Sequence, residues 1–356
     1  MTAPARRDAA RPDKAAGDRM AAVGPSSGDV GAITSELLYR TIPELASGFW
    51  QRVSWRITRV VDQPPNRILF VSLLYIVQRT SRLRRREIVA KVYGTDSGPQ
   101  ALAALRQLWI LGFRPPERHR VTQPFGYAAD RNILFQAKAP GVLWADFLRD
   151  GGRPLSVASA QAADWLIQLQ RTAAATERSG APDQADVEQR AAEELLMSFP
   201  TCEASLRPVT EALLPLLRPH RIEAIPSHGS YHPMNVLVTR RFTTVIDFDK
   251  FGQREAAYDV GYAIGRLLAV SYFCLGDIAP GARAALAFWR RYERGGQARW
   301  PRVVVQVSRF LLQSLHYELC ALRKTRPELA ELWTTLMKEW MASDSPTTLE
   351  RLTRPR

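Results

Sequence analysis

The chain is poor in cysteine and in lysine. Its 356 residues hold three cysteines, Cys202, Cys274 and Cys320, an odd number, widely spaced, with no C-x-x-C pair. That pattern excludes a disulfide framework or a zinc ribbon and fits a reducing compartment. Lysine occurs only at Lys14, Lys91, Lys138, Lys250, Lys324 and Lys338, so most of the +14 formal charge is arginine. The arginines are scattered, with the densest run at Arg82–Arg86. They do not form the aromatic-studded stripe of a nucleic-acid binder, and no nucleic-acid partner is expected. No long uncharged apolar run is present, so no membrane span is expected. The amino terminus has charges but no apolar secretory segment, which makes a cytoplasmic location the expectation. Neither G-x-G-x-x-G nor G-x-x-x-x-G-K-[ST] occurs.

What is present reads as one large or two modest globular units. Met1–Ala32 is rich in Ala, Gly, Pro, Asp and Arg, and is expected to be a disordered tail. A short amphipathic helix is expected over Ile33–Leu45. Ser54–Val61, the apolar Arg67–Val77, and Glu87–Tyr93 read as three strands of a meander, with turns at Asp62–Asn66 and Ser81–Arg86. Pro99–Leu111 reads as a helix. Val121–Tyr127 and Arg131–Ala137 read as two further strands, and Lys138-Ala139-Pro140-Gly141 breaks the pattern. Helices are expected from Trp144, over Val157–Arg171, Ala185–Met197 and Glu211–Leu217, with a loop at Gly180–Gln184. After Asp259 the pattern is all-helical: Val260–Val270, Ala282–Glu293, Val303–Arg323 and Pro327–Met341.

The densest chemistry lies in Ser227–Asp259, SHGSYHPMNVLVTRRFTTVIDFDKFGQREAAYD. Gly229 and Pro233 make a loop, Val236–Val238 and Thr243–Phe248 a hairpin, and Asn235 is thereby brought beside Asp247 and Asp249. An amide oxygen beside two carboxylates is a hard-oxygen set suited to Mg²⁺. A Ser-His-Asp reading of Ser230 fails because no G-x-S-x-G elbow is present. His228 and His232 are no zincin pair, since Gly229 and Pro233 disfavour a helix there and no Glu lies between them.

His228-Gly229 with Asn235, then Ile246-Asp247-Phe248-Asp249, then Ala257-Tyr258-Asp259-Val260, together resemble the aminoglycoside phosphotransferase/choline-kinase-like family. The resemblance implies an α+β, two-lobed, protein-kinase-like fold. A small antiparallel β-sheet N-lobe would span 33–138 and a larger, mainly helical C-lobe 139–356. It implies ATP or another nucleoside triphosphate and Mg²⁺ as cofactors, and a small hydroxylated or amine-bearing acceptor. Lys91, in Val89-Ala90-Lys91, would neutralise the α/β-phosphates. Lys138, Ala139 and Gly141, with Gln136 on the strand before them, would carry the nucleotide base. Asn235 and Asp247 would hold the metal. Asp249 would hold a second metal or act as base, with His232 the other candidate base. His228 and Asp259 would be structural braces, and Phe288–Tyr292 is read mainly as core.

Three features depart from the family pattern. Ser230 stands where the family has a catalytic Asp, leaving it to position the acceptor. The turn Asp62–Asn66 lacks glycine, and the helix after Lys91 offers no Glu. Gln100 is the nearest candidate there, and only for a neutral hydrogen bond. Two readings follow: an active phosphotransferase with an atypical catalytic loop, or a nucleotide-binding pseudokinase with a scaffolding or regulatory role.

Overall fold

The computed structural model describes residues 33–47, 50–77, 80–174, 184–218, 223–323, 327–343 and 345–354. The tail expected over Met1–Ala32, and most of the loop expected at Gly180–Gln184, lie outside them. Two short helices, α1 (Ser35–Thr41) and α2 (Pro43–Ala46), replace the single one expected. Thr34 caps α1 by accepting the Leu37 N–H, and Ile42 breaks the pair with extended backbone before Pro43.

Three long strands follow: β1 (Trp50–Gln63), β2 (Asn66–Val77) and β3 (Arg82–Val92). The turn expected at Ser81–Arg86 is therefore mostly strand. Arg82–Arg86 pair antiparallel with Val77–Leu73, so backbone bonding overrides the charge run there. Helix α3 (Gly98–Ile110) comes next, then β4 (His119–Val121), β5 (Pro124–Ala128), β6 (Ile133–Ala137) and β7 (Val142–Leu143). What reads as one strand, Val121–Tyr127, is two. The first pairs with the C-lobe hairpin and the second with β6.

The N-lobe sheet has the order β1-β2-β3-β6-β5. The pleat sends Leu69, Val71, Leu73, Ile88, Ala90, Ile133 and Phe135 to one face, where they bury against Leu37, Leu38 and Ile42. The alternate residues Lys91, Leu134 and Gln136 therefore belong to the other face.

The C-lobe holds α4 (Phe147–Asp150), α5 (Gly152–Gln170), α6 (Gln184–Ser198), α7 (Glu203–Leu217) and β8 (Ile225–Ser227), followed by the hairpin β9 (Val236–Val238) and β10 (Thr243–Val245), then β11 (Gly252–Arg254). Four helices complete it: α8 (Ala257–Leu275), α9 (Ala279–Tyr292), α10 (Trp300–His316) and α11 (Pro327–Met341), with a short α12 (Thr347–Leu352). Helix α7 starts earlier than expected and contains Pro208 and Pro215. Helix α10 ends at His316 and runs into a π-helical turn over Tyr317–Ala321. Helices α8 and α10 pack closely because Gly261 and Gly265 lie one turn apart. A Cβ at either would run into Gln306 or Phe310. Phe288, Trp289 and Tyr292 are buried in the C-lobe core, as the core reading of that stripe expects.

Candidate functional site

The site assembles where the end of β3 meets the loops around the β9–β10 hairpin. Lys91 Nζ lies 2.6 Å from Asp247 Oδ1 and 2.5 Å from Asp249 Oδ2. One ammonium thus ties the N-lobe sheet to two C-lobe carboxylates 156 and 158 residues away in sequence. The lysine side chain is almost wholly buried. Burial alone would lower its pKa, but the two carboxylates outweigh it and the net shift is upward. The carboxylates diverge. Burial raises both, but Lys91 reverses the effect at Asp247, whose pKa falls. At Asp249 burial and the charge of Asp247 win, and its pKa rises.

Asp247 has φ +71°, in the left-handed region that non-glycine residues seldom occupy. This ends the strand at Val245 rather than at Phe248 as expected, and re-aims the Asp247 carboxylate. Strain of this kind, held by surrounding structure, is common at functional positions. The surroundings here are well defined. His228 Nε2 donates to the Ile246 carbonyl at 3.0 Å, and the Ile246 N–H donates to the Asn235 carbonyl at 3.0 Å.

The catalytic-type loop hangs on Asp259. One of its carboxylate oxygens accepts the His228 N–H at 2.7 Å and the other the Gly229 N–H at 2.9 Å. Asp259 is 1% exposed and His228 is fully buried. Gly229, at φ +78°, passes so close to Lys250 that a Cβ would strike its carbonyl oxygen. Behind the loop, Tyr231 stacks on Trp165 with ring centroids 5.6 Å apart and donates its hydroxyl to the Ala162 carbonyl. His228 meets Phe248 edge-on at 4.7 Å.

Asn235 Nδ2 donates to the Ser230 carbonyl at 3.1 Å, which leaves Oδ1 as the amide's lone-pair donor. An amide oxygen with two carboxylates would be a hard-oxygen set of the kind that suits Mg²⁺. His232 fits a proton acceptor poorly. Its Nδ1 accepts the Met234 N–H at 3.2 Å, and burial together with the Arg266 charge holds its pKa well below the usual range. Asp249 is likewise taken up, by Lys91, by the Tyr93 hydroxyl at 2.8 Å and by Asn66 Nδ2 at 3.4 Å. Both Asp249 oxygens thus already have partners.

Two members of this site were not singled out from sequence. Asn66 sits at the end of the glycine-free turn, where its Oδ1 accepts the Gly94 N–H at 3.2 Å. Tyr93 lies two residues after Lys91, and that period-two spacing along the strand was the available signal. Gln100 does not meet Lys91. Its amide donates to the Phe251 carbonyl at 3.4 Å. No acidic residue stands in the first turn of α3, so Asp247 and Asp249 serve as the lysine's counter-charges.

On the linker side, Gln136 is buried on the open face of β6 and accepts from Thr122 Oγ1 at 2.7 Å. The Lys138 N–H donates to the Glu87 carbonyl at 3.2 Å. Ala139 follows in the irregular linker, and Gly141 turns it with φ +119°.

The profile of the family described as phosphotransferase enzyme family matches residues 41–303. The chain belongs to that family. It is a phosphotransferase by membership, and the sequence resemblance is borne out. Solved structures agree on the fold. A choline/ethanolamine kinase family protein from Mesorhizobium loti superposes with TM-score 0.55 at 15% identity, covering 92% of this chain and 99% of its own. Aminoglycoside 2'-phosphotransferase-IIIa in its GDP complex gives 0.52 at 16% identity, covering 87% and 99%. A ternary complex of the aminoglycoside phosphotransferase APH(4)-Ia with ADP and hygromycin B gives 0.55 at 14% identity, covering 87% and 98%. No curated protein matches the chain. The α+β, two-lobed, protein-kinase-like fold is thus established. No helix among the described residues is long and apolar enough to cross a membrane.

Proposed function

We propose that this phosphotransferase moves the γ-phosphoryl group of a Mg²⁺-bound nucleoside triphosphate, ATP in the first instance, to a hydroxyl of a small molecule. The observation that carries the proposal is the Lys91–Asp247–Asp249 cluster. Two carboxylates largely withdrawn from water that share one cation between lobes, with their pKa values pushed apart, support a functional site over packing alone. With nucleotide bound, Lys91 would turn from the carboxylates to the α/β-phosphates, and Asn235, Asp247 and Asp249 would hold Mg²⁺. The metal would supply neutralisation of phosphate charge. The linker from Lys138 to Gly141, with Gln136 behind it, receives the base. The segment 33–138 then acts as the nucleotide lobe and 139–356 as the acceptor lobe.

The acceptor has a natural place beside the Ser230 loop. A cavity of about 620 Å³ opens between α6, α8 and α10, lined in part by Lys250, Tyr262, Arg266, Phe310 and Glu188. Tyr262 lies 5.9 Å from His232, ring to ring, which connects the cavity to the loop. Aromatic walls with both charge signs suit a small hydroxylated or amine-bearing molecule. Such acceptors are in keeping with the choline/ethanolamine kinase name and with the hygromycin B complex among the structural relatives.

Ser230 supplies no general base, and His232 and Asp249 are committed elsewhere. Phosphoryl transfer depends chiefly on positioning and charge neutralisation, so it survives this loss at reduced rate. A positioned base typically contributes about 10²–10⁴-fold. Absence of a base is the observation that favours the second reading, a nucleotide-binding pseudokinase. Mg-ATP-dependent ADP release, measured across a panel of amino alcohols and polyols, separates the two. Turnover with any acceptor supports transfer. Mg-nucleotide binding with no turnover on any of them supports the pseudokinase.

A further inference from the structure

A second cavity, of about 610 Å³, lies away from the catalytic residues, where β4 meets the β9–β10 turn and α5. Arg118, Arg120, Arg240 and Arg241 line it. The acid among the lining residues is Asp164, which is already paired with Arg291 at 2.6 Å. The fold holds the side chain of Arg120 and the backbone at the other three. Arg120 is gripped by the Glu117 carbonyl at 2.5 Å and the Pro116 carbonyl at 3.1 Å, and its guanidinium lies 3.7 Å over the Phe242 ring. Arg240 and Arg241 occupy a turn closed by Thr239 Oγ1, which accepts the N–H groups of Arg241 and Phe242. Arg118 is fixed at its backbone, where its carbonyl accepts the Thr243 N–H at 2.8 Å. A smaller neighbouring cavity of about 450 Å³ shares Arg118 and adds Arg171 and Arg294, extending the basic surface.

We propose that this cavity is a binding site for a small polyanion bearing two or more phosphate groups, separate from the nucleotide cleft. Arginine forks match phosphate oxygens bidentately, and four of them around one concavity leave the site strongly positive until an anion fills it. The volume lies within the range of small-molecule sites, about 300–1,000 Å³, and holds a short phosphate chain or a bis-phosphorylated metabolite. General arginine richness explains a positive surface. It does not explain a concave site in which the one acid is already neutralised and one arginine is stacked and tethered in place.

The test is calorimetric titration of the full chain with inorganic tripolyphosphate, in EDTA so that no metal supports binding in the cleft. The wild type is expected to bind it, and the double variant Arg240→Glu/Arg241→Glu to lose affinity by about tenfold or more. One control should bind like wild type: Arg82→Glu/Arg84→Glu, which makes the same charge change on the exposed part of β3. An unchanged Mg-ATP thermal shift in Arg240→Glu/Arg241→Glu shows that its fold is intact. The proposal is overturned by absence of tripolyphosphate binding, by equal losses in the two double variants, or by unchanged affinity in Arg240→Glu/Arg241→Glu. Binding of a single-stranded oligonucleotide without binding of tripolyphosphate also overturns it, in favour of a nucleic-acid surface.

Discussion

Replacing Lys91 by Met tests the central cluster through stability, before any substrate is known. The side chain of Lys91 is 7% exposed, against 25% for Asp247 and 17% for Asp249, so the trio is largely withdrawn from water. Methionine fills most of the volume but removes the cation. Two carboxylates then face each other with only neutral donors left, Tyr93 and Asn66, both of them on Asp249. Removing one partner from a buried ion pair costs about 3–5 kcal/mol. The loss depends on pH. Asp249 already has a raised pKa, through burial and the Asp247 charge, and without Lys91 it takes up a proton more readily still. Protonation relieves the repulsion, so the destabilisation is smaller at pH 5 than at pH 8, where both groups are ionised. Millimolar Mg²⁺ resupplies positive charge and recovers part of the loss. Urea unfolding of wild type and Lys91→Met, at both pH values with and without Mg²⁺, checks each step. A variant as stable as wild type at pH 8 and indifferent to Mg²⁺ refutes the electrostatic reading of the site.

Other outcomes follow from single residues. Asp259→Asn keeps one acceptor oxygen but presents an NH₂ to the second loop N–H. It should cost about 2–3 kcal/mol by the usual worth of a hydrogen bond to a charged group; loss within error in a urea titration contradicts the bracing role. Gly229→Ala meets both the φ of +78° and the Lys250 carbonyl, and is expected to lower stability by about 2 kcal/mol or more. Equal stability of that variant in the same assay argues against the close approach. Burial pushes the Glu188 carboxyl up to about 7, against the opposing charge of Arg309. The native state therefore holds this proton more tightly than the unfolded chain. The associated stability is complete below about pH 4.5 and is lost as pH rises through about 7, on the order of 3 kcal/mol in all. Glu188→Gln should remove that slope, and an unchanged pH profile counts against it. Ser230→Asp should preserve or raise turnover in the ADP-release assay; a sharp fall assigns the serine a role of its own.

Much of the site was legible because its residues cluster in sequence. His228, Asn235, Asp247, Asp249 and Asp259 share one short stretch, and hairpin pairing brings the ends of that stretch together. Lys91 was legible from its place on the third strand. What sequence missed depends on approach between lobes. Asn66 and Tyr93 reach Asp249 across 183 and 156 residues, and only the period-two spacing of Tyr93 from Lys91 hints at either contact. Gln100 was placed beside Lys91 by family pattern, but α3 presents it to Phe251 instead. The turn expected at Ser81–Arg86 is mostly strand because cross-strand pairing with β2 decides the backbone there. His232 looked like a candidate base because histidine titrates near neutrality. Its Nδ1 accepts the Met234 N–H, a local commitment visible only in three dimensions.

The most direct measurement is the thermal shift of the full chain with Mg-ATP, with ATP plus EDTA, and with the Asp247→Asn variant in Mg-ATP. A ligand that binds only the native state adds about 2.7 kcal/mol at a hundred times its Kd, so modest affinity is visible. Stabilisation by Mg-ATP that is lost in EDTA and in Asp247→Asn is the expected result, and it places nucleotide and metal on the Lys91–Asp247 cluster. No shift at millimolar Mg-ATP, or the same shift in Asp247→Asn, contradicts it.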